Sequence, residues 1–517
     1  MSDDRFDKAR LTELRQRATL VEYPFTSDAP GVGRLVAWLR SAWNGVATKW
    51  QVRPVMEQQA AFNHALAEWL ARRQAGIAGV EAAGRDVGAE RIAADRDGMQ
   101  LNRAAGAVAA RLARAQGDLR ARQVGQDPAA RRLRVAYFSP LPPARSGIAG
   151  YSADLLPHLA ARADVTLYAD GTAAAPGALP LHPVAAYPAE RWAYDLPLYH
   201  MGNSAHHRAI YNMLLRFPGM VVLHDAFLHH FVADLTLGGG SFAAYAREMG
   251  YALGPAAAAR LRDIRSGRAP NPLYEFPLHE RLIDASLGLV VHSRFVAEMV
   301  HGVRPEARVR VIPQLVVPRS ARSRRTELGL GDETLLIAAV GQVTAAKQVP
   351  LALRAFRRLL AFVPEARFLI VGEVLPEVDL DGALRELELG EQVMRLDYVE
   401  TRQAFDDWSA TADVVLNLRY PTLGETSAAA LGVMAAGRAV VVFDHGWYAE
   451  IPDGAALKVP PLDEEALLAG LLELAQSPAR RAALGATAAR YVAEACDPAN
   501  VVAGYIDFMD ELSEPVF

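Results

Sequence analysis

Short apolar segments alternate with amphipathic ones from residue 133 almost to the end of the chain. The apolar segments have the length of buried strands, and the stretches between them repeat apolar residues at helical spacing. The predicted strands form two series, 133–138, 165–169, 221–224, 287–293 and 309–313, then 335–341, 368–373, 393–399, 413–418 and 439–444. Strands apolar along their whole length, alternating with helices, are typical of parallel sheets covered on both faces. We predict an α/β protein with two doubly wound, Rossmann-like domains.

This pattern also suggests domain bounds. We predict a helical extension over 1–130, a first Rossmann-like domain over 131–318, a second over 319–500, and a last helix over 501–517 that crosses back to the first. The basic, turn-rich stretch 319–333 is the predicted linker. Ligands bind such sheets beyond the carboxyl ends of the strands. Two domains that face each other with these ends would form a cleft suited to joining two substrates.

The predicted extension holds two amphipathic helical patterns, over 35–50 and 55–70. Tryptophan is concentrated there, at Trp38, Trp43, Trp50 and Trp69. Three interpretations stay open: these helices pack on the domains as core, they form an oligomerisation pair, or residues 30–75 lie on a membrane surface. From about 75 to 125 the pattern weakens to that of a long polar helix or a loose coiled coil.

Composition excludes several classes of function. The net charge of −4 and the pI near 6.4 give no basic field for nucleic acid. The single cysteine, Cys496, excludes an internal disulfide framework and a thiolate metal cluster, and no motif has metal-ligand spacing. No apolar run reaches the length of a membrane span, and the polar N-terminus lacks a signal core. We expect a protein of the cytoplasm or of the inner membrane face, without bound metal.

Lys347 is unusual because nearly all of the basic residues in this chain are arginines. The other lysines are Lys8, Lys49 and Lys458. Lys347 follows a predicted strand and precedes a predicted helix, where a compact ammonium beside free backbone N–H groups suits a phosphate. The alternative is an ordinary surface lysine on the first turn of a helix.

Five motifs occur in an order that carries a family resemblance. They are SGIAGY (146–151), VVLHDAF (221–227), GQVTAAK (341–347), YPTLGETSAAALGVMAAGRAVVVFD (420–444) and GWYAEIPDG (446–454). From about residue 133 onwards the chain resembles GT-B glycosyltransferases of the retaining family-4 type, also called group 1. The resemblance implies transfer of a sugar from a nucleotide-diphosphate sugar to a glycan, a lipid-linked intermediate or another surface-polysaccharide acceptor. It implies no cofactor besides the donor.

The resemblance also implies roles for individual residues. It makes His224, Lys347 and Glu425 the catalytic candidates. His224 would bond the donor sugar or the acceptor, Lys347 the diphosphate, and Glu425 the sugar hydroxyls. Further donor-binding candidates are Gly147, Gly150, Gly341, Gln342, Gly424, Thr426 and Ser427. Candidates on the acceptor side or in support are Asp225, His292 and Glu450, and Asp225 would orient His224 or cap the next helix.

The chain departs from the family pattern at two positions. Gln342 stands where the family has an arginine, which leaves Lys347 as the only full positive charge of its loop. Gly432 stands where a second carboxylate would bond the ribose, and the first aligned glutamate falls on Gly424, beside Glu425. These departures keep two alternatives open. One is a non-catalytic GT-B homologue that binds a nucleotide-sugar, a glycan or a partner protein. The other is a sugar phosphorylase or small-glycoside synthase.

Overall fold

Two parallel sheets form the centre of the protein in the computed structural model, which describes residues 87–399 and 401–514. The first sheet has the strand order β3-β2-β1-β4-β5-β6-β7. Its strands are β1 (Arg134–Phe138), β2 (Asp164–Tyr168), β3 (Leu181–His182), β4 (Leu196–Met201), β5 (Met220–Leu223), β6 (Gly288–Val291) and β7 (Val309–Val311). The order reverses between β1 and β4, because the later strands add on one side and the earlier ones on the other.

Helices cover both faces of this sheet. They are α1 (Val87–Gln123), α2 (Gly147–Ala160), α3 (Tyr187–Glu190), α4 (Arg208–Arg216), α5 (His229–Ala233), α6 (Phe242–Leu253), α7 (Ala257–Arg265), α8 (Glu280–Ala285) and α9 (Arg294–Val303). Successive side chains of a strand point to opposite faces. Ala136 and Phe138 of β1 therefore enter one buried cluster, while Val135 and Tyr137 enter another on the opposite face.

The second sheet has the order β10-β9-β8-β11-β12-β13 and reverses between β8 and β11. Its strands are β8 (Leu336–Val340), β9 (Arg367–Val371), β10 (Val393–Leu396), β11 (Val414–Leu416), β12 (Ala439–Phe443) and β13 (Leu457–Val459). The helices that follow α9 are α10 (Val349–Leu359), α11 (Leu380–Glu386), α12 (Arg402–Thr411), α13 (Ala428–Ala435), α14 (Glu464–Gln476), α15 (Pro478–Ala495) and α16 (Pro498–Ser513). Two buried clusters again lie on opposite faces of the sheet. The predicted pair of doubly wound domains is confirmed.

Helix α1 packs on the first domain. Its Ala110 is buried in the cluster that holds Val135, and a side chain at Gly106 would begin 2.7 Å from Pro218. Arg114 pairs with Asp510 of α16 at 2.7 Å. The predicted helical N-terminal region is thus confirmed for this helix, which is a long polar helix with one face packed on the domain. The predicted helices over 35–50 and 55–70, and the interpretations of residues 30–75, lie outside the described residues.

The last helix returns to the first domain. The hydroxyl groups of Tyr505 in α16 and Tyr151 in α2 are 3.0 Å apart, and a side chain at Gly288 in β6 would begin 2.6 Å from Phe508. The helix also packs against α1, so the two ends of the described chain close on the same domain. Within residues 87–399 and 401–514, no helix has the length and apolar character that a membrane crossing needs.

Three of the observed strands were not predicted from the sequence. The strands β3 and β13 are two and three residues long, which is too short for a periodic pattern. The strand β4 lies in the middle of the first sheet and is buried along its whole length. It contains Pro197, and proline within a strand pattern argues against a central strand. Tertiary burial overrides that local signal.

Candidate active site

The carboxyl ends of the two sheets face each other. The backbone N–H of Phe227, after β5, donates to the carbonyl of Leu423, after β11, at 2.9 Å. Gly424 has φ +79°, and a side chain there would begin 2.5 Å from the Cβ of Ala226. In each sheet, the crevice beyond the point where the strand order reverses is the expected ligand site. The candidate site therefore lies between the ends of β1 and β4 in the first domain and of β8 and β11 in the second.

Lys347 lies beside the end of β8. A short 3-10 turn, Ala345–Lys347, precedes α10, and Gln348 separates the two with a left-handed φ of 53°. The Lys347 ammonium folds back to donate to the carbonyl of Val340 at 3.3 Å. It lies 3.4 Å from where a side chain of Gly341, at φ +91°, would begin. Lys347 is therefore neither on the first turn of the helix nor an ordinary surface lysine.

The environment of Lys347 disfavours its charge. Burial lowers the pKa of its ammonium to about 7, the positive charge of Arg419 lowers it further, and the charge of Glu425 opposes the change. A lysine in this state gains most from an added anion, because an anion supplies the missing counter-charge.

Arg419 is a site residue that the sequence analysis missed. It follows β11, the strand next to β8, and its guanidinium pairs with Oε1 of Glu425. The Nε of Arg419 is buried without a hydrogen-bond partner. Its position in the sequence could have revealed it, because Arg419 is the charged residue that directly follows the apolar segment DVVLNL (413–418).

Both carboxylate oxygens of Glu425 contact other groups of the protein. Its Oε2 accepts from the backbone N–H of Leu423 at 2.7 Å and from the hydroxyl of Thr422 at 3.2 Å. Its side chain is 11% exposed. It is thus not a solvated loop carboxylate, and its contacts hold the loop and the guanidinium of Arg419.

The stretch from β11 to α13 also presents polar groups without protein partners. The hydroxyl of Thr426 and the Nδ2 of Asn417 are buried and have none, while Oδ1 of Asn417 accepts from the Tyr448 hydroxyl at 2.6 Å. Ser427 caps α13, because its hydroxyl accepts from the N–H of Ala430 at 3.2 Å. The cap places the N-terminus of α13 next to Thr426, where the helix dipole favours negative charge.

Gln342, the other polar candidate of this loop, is exposed and donates to Glu373, at the end of β9, at 3.2 Å. Gly432 faces α12, where a side chain would begin 3.3 Å from Nη2 of Arg402 and 3.7 Å from Oδ1 of Asp406. An ion pair therefore stands beside the position where the family resemblance expected a carboxylate.

Three histidines in the first domain form a hydrogen-bonded chain. The Nδ1 of His200 in β4 is 3.0 Å from Nε2 of His224, and the Nδ1 of His224 is 3.3 Å from Nε2 of His292. The Nδ1 of His292 lies 2.8 Å from the carbonyl of Ile312. Because that carbonyl only accepts, we assign an Nδ1–H to His292, and the same tautomer follows for His224 and His200.

These hydrogen bonds bear on the expected role of His224, which stays a prediction. Both of its ring nitrogens are bonded to other histidines, so neither is free to bond the donor sugar or the acceptor in this arrangement. The sequence placed His224 at a strand end correctly. It gave no sign of His200, because β4 was not predicted. His292 is a supporting residue of His224 rather than a group facing the acceptor.

Burial keeps these histidines neutral. It lowers the pKa of His292 to about 4, and the pKa values of His200 and His224 lie well below the usual range because of burial and then the neighbouring histidines. Burial also lowers the pKa of nearby His207 to about 4. The unfolded chain would bind protons at these side chains below about pH 6.5, whereas the folded protein would not.

We therefore expect the free energy of unfolding to fall as the pH falls from 6.5 towards 4. Each histidine held neutral contributes a slope of up to about 1.4 kcal/mol per pH unit. Urea unfolding at pH 5.0, 5.75 and 6.5 measures this slope in a range where most carboxylates stay ionised. His207→Asn should reduce it. A midpoint that does not change between pH 5.0 and 6.5 would contradict the assignment of neutral buried histidines.

Asp225 has neither of the two roles expected from the sequence. Its Oδ2 accepts from the backbone N–H of Asn203 at 2.9 Å, and among the described contacts it neither bonds His224 nor caps α5, which begins at His229 without a side-chain cap. Burial, and then the charge of Glu425 across the domain boundary, raises the pKa of Asp225 to about 6.

Glu450 joins the two domains. Its carboxylate accepts from the backbone N–H groups of Arg294 at 3.0 Å and Phe295 at 2.7 Å, at the N-terminus of α9. Glu450 therefore caps a helix of the other domain, and its expected place on the acceptor side or in support of the site stays a prediction. Gly147 and Gly150 lie in the first turn of α2, with open space where their side chains would begin.

Gly424→Ala tests the close contact between the domains. The substitution adds a Cβ where Ala226 leaves no room and imposes a left-handed φ that costs about 1–2 kcal/mol. If the closed arrangement is the active one, the transfer rate should fall at least about tenfold, with little change in far-UV circular dichroism. Gly331→Ala is the matched control, because its side chain would meet nothing within 4 Å. Unchanged transfer by Gly424→Ala would contradict the closed arrangement.

Comparison with known proteins finds a family that is similar to the second domain. The family described as "Glycosyl transferases group 1" matches residues 334–477, which run from just before β8 to just after α14. Over this range the second domain is similar to the group 1 glycosyl transferases. The matched range contains Lys347, Arg419, Glu425 and Glu450. The prediction that the chain is a glycosyltransferase is confirmed at the level of this family.

Solved structures show that the chain has the GT-B fold. Sucrose-phosphate synthase from Thermosynechococcus elongatus is similar with 17% identity and a TM-score of 0.53, over 74% of this chain and 99% of that one. HepE of Anabaena, in complex with UDP-glucose, is similar with 14% identity and a TM-score of 0.51, over 74% and 100%. A glycosyltransferase from Rickettsia africae is similar with 10% identity and a TM-score of 0.51, over 74% and 100%. The comparison with curated proteins gives no match.

The described residues contain no group of three His, Cys, Asp or Glu side chains placed to hold a metal ion.

Proposed function

We propose that the protein is a retaining glycosyltransferase that moves a sugar from a nucleotide-diphosphate sugar to a glycan, a lipid-linked intermediate or another surface-polysaccharide acceptor. The observation that carries the proposal is the buried ammonium of Lys347, which lies at the reversal point of the second sheet. Among the described residues it has no anionic partner in direct contact. The group 1 family match of this domain, and the UDP-glucose named for the HepE structure, support a nucleotide-sugar as the anion.

The proposed chemistry is a balanced group transfer. The bond between the anomeric carbon and the diphosphate oxygen breaks, and its electron pair stays on the diphosphate. A bond from the acceptor oxygen to the anomeric carbon forms on the same face of the sugar, and the proton of the acceptor hydroxyl passes to the leaving diphosphate oxygen, which releases it to water. The protein would stabilise the charge that develops on the leaving diphosphate with Lys347 and with the N–H groups at the start of α13.

The first domain would hold the acceptor near its own reversal point. The first turn of α2, with Gly147 and Gly150, leaves open space there. Asp225 lies on this wall, and the charge of Glu425 contributes to its raised pKa. The histidine chain through His224 would give this wall a fixed shape and no net charge.

A second candidate is a non-catalytic GT-B homologue that binds a nucleotide-sugar. The specific observation in its favour is that the side chains of His224 and Glu425 are both occupied by protein groups. In that case the donor would bind at Lys347 and no transfer would follow.

Nucleotide release tests the proposal. The full-length protein is mixed with UDP-glucose and then with other nucleotide-sugars, with a glycan or lipid extract as acceptor, and the free nucleoside diphosphate is measured. We expect release that requires the acceptor, and a product with the anomeric configuration of the donor. Binding without release would favour the second candidate. The absence of binding by every nucleotide-sugar would overturn both.

A further inference from the structure

Two cations from neighbouring strands meet at the reversal point of the second sheet. Lys347 belongs to the loop after β8, and Arg419 follows β11, the strand paired with β8. The two loops are in contact, because the backbone N–H of Tyr420, next to Arg419, donates to the carbonyl of Ala346, next to Lys347, at 2.8 Å. The charge of Arg419 also contributes to the lowered pKa of Lys347. Two like charges in a buried place repel each other, and this arrangement is favourable only when an anion lies between or beside them.

The protein's own anions do not satisfy both cations. Glu425 contacts Arg419, whereas the hydrogen bond of Lys347 goes to a neutral carbonyl, that of Val340. Three donors on the stretch that follows β11 remain unused: within the described part of the chain, the Nε of Arg419, the hydroxyl of Thr426 and the Nδ2 of Asn417 are buried without a partner. Asn417 itself is fully buried. A group with several acceptor oxygens and a negative charge would complete these contacts.

Glu425 shows why the guanidinium has a fixed position. A carboxylate offers about four acceptor sites. In Glu425 one oxygen is used by Leu423 and Thr422, and the other is paired with Arg419. The loop bonds hold the carboxylate, and the carboxylate in turn holds Arg419. Among the described residues Oε1 makes no hydrogen bond, so the ion pair with Arg419 is its contact with the protein.

We propose that Arg419 is the second cation that binds the donor diphosphate, and that Glu425 is its positioning residue rather than a sugar ligand. This inference rests on the proposed function. It names the source of the positive charge that the loop of Lys347 does not supply, since Gln342 of that loop is neutral and bonded to Glu373. The guanidinium presents several N–H donors in a fixed plane, which suits phosphate oxygens.

The experiment compares three variants, Arg419→Gln, Glu425→Gln and the control Arg324→Gln, in calorimetric titrations. Arg324 belongs to the same domain and pairs with Asp407 at 3.0 Å, away from the site. Each variant is titrated with UDP and with UDP-glucose, or with the nucleotide that the wild type binds best. Thermal unfolding of every variant checks its folding.

We expect Arg419→Gln to weaken the binding of the nucleoside diphosphate by about 10- to 100-fold, the range for a lost charge-assisted hydrogen bond. Glu425→Gln should lower the affinity for the nucleoside diphosphate and the affinity for the nucleotide-sugar by the same factor, because a positioning residue acts through the phosphate contact. Arg324→Gln should bind like the wild type. Arg419→Lys retains the charge and should recover part of the affinity, which keeps the test valid if Arg419→Gln folds poorly.

Two results would overturn the inference. One is wild-type affinity for the nucleoside diphosphate in a folded Arg419→Gln or Arg419→Lys variant. The other is a Glu425→Gln variant that loses affinity only for the nucleotide-sugar, which would make Glu425 a sugar ligand. If the wild type itself binds no nucleoside diphosphate, both the proposed function and this inference fail.

Discussion

Replacing Lys347 by methionine is expected to lower the transfer rate about 10²- to 10³-fold, the range for removal of one group that stabilises developing negative charge. Methionine fills a similar volume without a charge, so the domain should keep its fold. The affinity for the nucleoside diphosphate should fall as well, because Lys347 has no strong internal partner and contributes its charge to the ligand. Rates from nucleotide release and dissociation constants from calorimetry measure the two effects.

Lys458→Met is the matched control for this prediction. Lys458 lies in β13 of the same domain, donates to the carbonyl of Ala449 at 2.9 Å and pairs with Asp453 at 3.5 Å. Its loss should leave donor binding unchanged. Equal donor binding by the wild type and Lys347→Met would show that Lys347 does not bind the diphosphate.

The affinity for a nucleoside diphosphate is expected to fall about tenfold for each pH unit above about 7. Lys347 binds the anion in its protonated form, and burial and Arg419 place the pKa of the free ammonium at about 7. The bound diphosphate would raise that pKa. Affinity should therefore be nearly constant between about pH 6 and 7, where the terminal phosphate is still ionised, and decrease above pH 7 until the pKa of the complex is reached.

Proton uptake gives the most specific readout of this effect. At pH 8 most Lys347 is neutral in the free protein, and the terminal phosphate of the nucleotide, with a pKa near 6, is ionised. We expect uptake of about one proton for each nucleotide bound, measured by calorimetry in buffers of different ionisation enthalpy. Lys347→Arg, which stays charged, should bind without uptake. Binding at pH 8 without proton uptake by the wild type would contradict the buried, partly neutral state of Lys347.

Most of the fold could be predicted from the pattern of apolar segments. All ten strands predicted from it are present. Most are apolar along their length because they are buried on both faces, whereas the edge strands β7 and β10 are partly exposed. The strand β4 escaped prediction, although it adjoins the first reversal point. Its Pro197 and His200 break the apolar pattern, and the packing that buries them is formed by residues distant in sequence.

The site was less predictable than the fold. Lys347 was found because its residue type is rare in this chain and it follows a strand. Arg419 was missed because its proximity to Lys347 depends on which strands are neighbours, and β8 and β11 are separated by two intervening strands in sequence. His224 was placed correctly, but its partners come from β4 and from the loop after β6, so its hydrogen bonds could not be inferred.

Contacts between the domains were beyond sequence reasoning altogether. Glu450 has the position of a loop carboxylate in its motif, and only the relative placement of the two sheets shows that it caps α9. The close approach of Gly424 to Ala226 has the same origin. Both contacts depend on the geometry of two separate sheets, which no local pattern encodes.

A crystal structure of the full-length protein with a bound nucleoside diphosphate tests the central claim most directly. The diphosphate is predicted at the reversal point between β8 and β11, with phosphate oxygens about 2.7–3.2 Å from the ammonium of Lys347 and from the guanidinium of Arg419. A nucleotide bound elsewhere on the protein, with neither cation in contact with its phosphates, would contradict it.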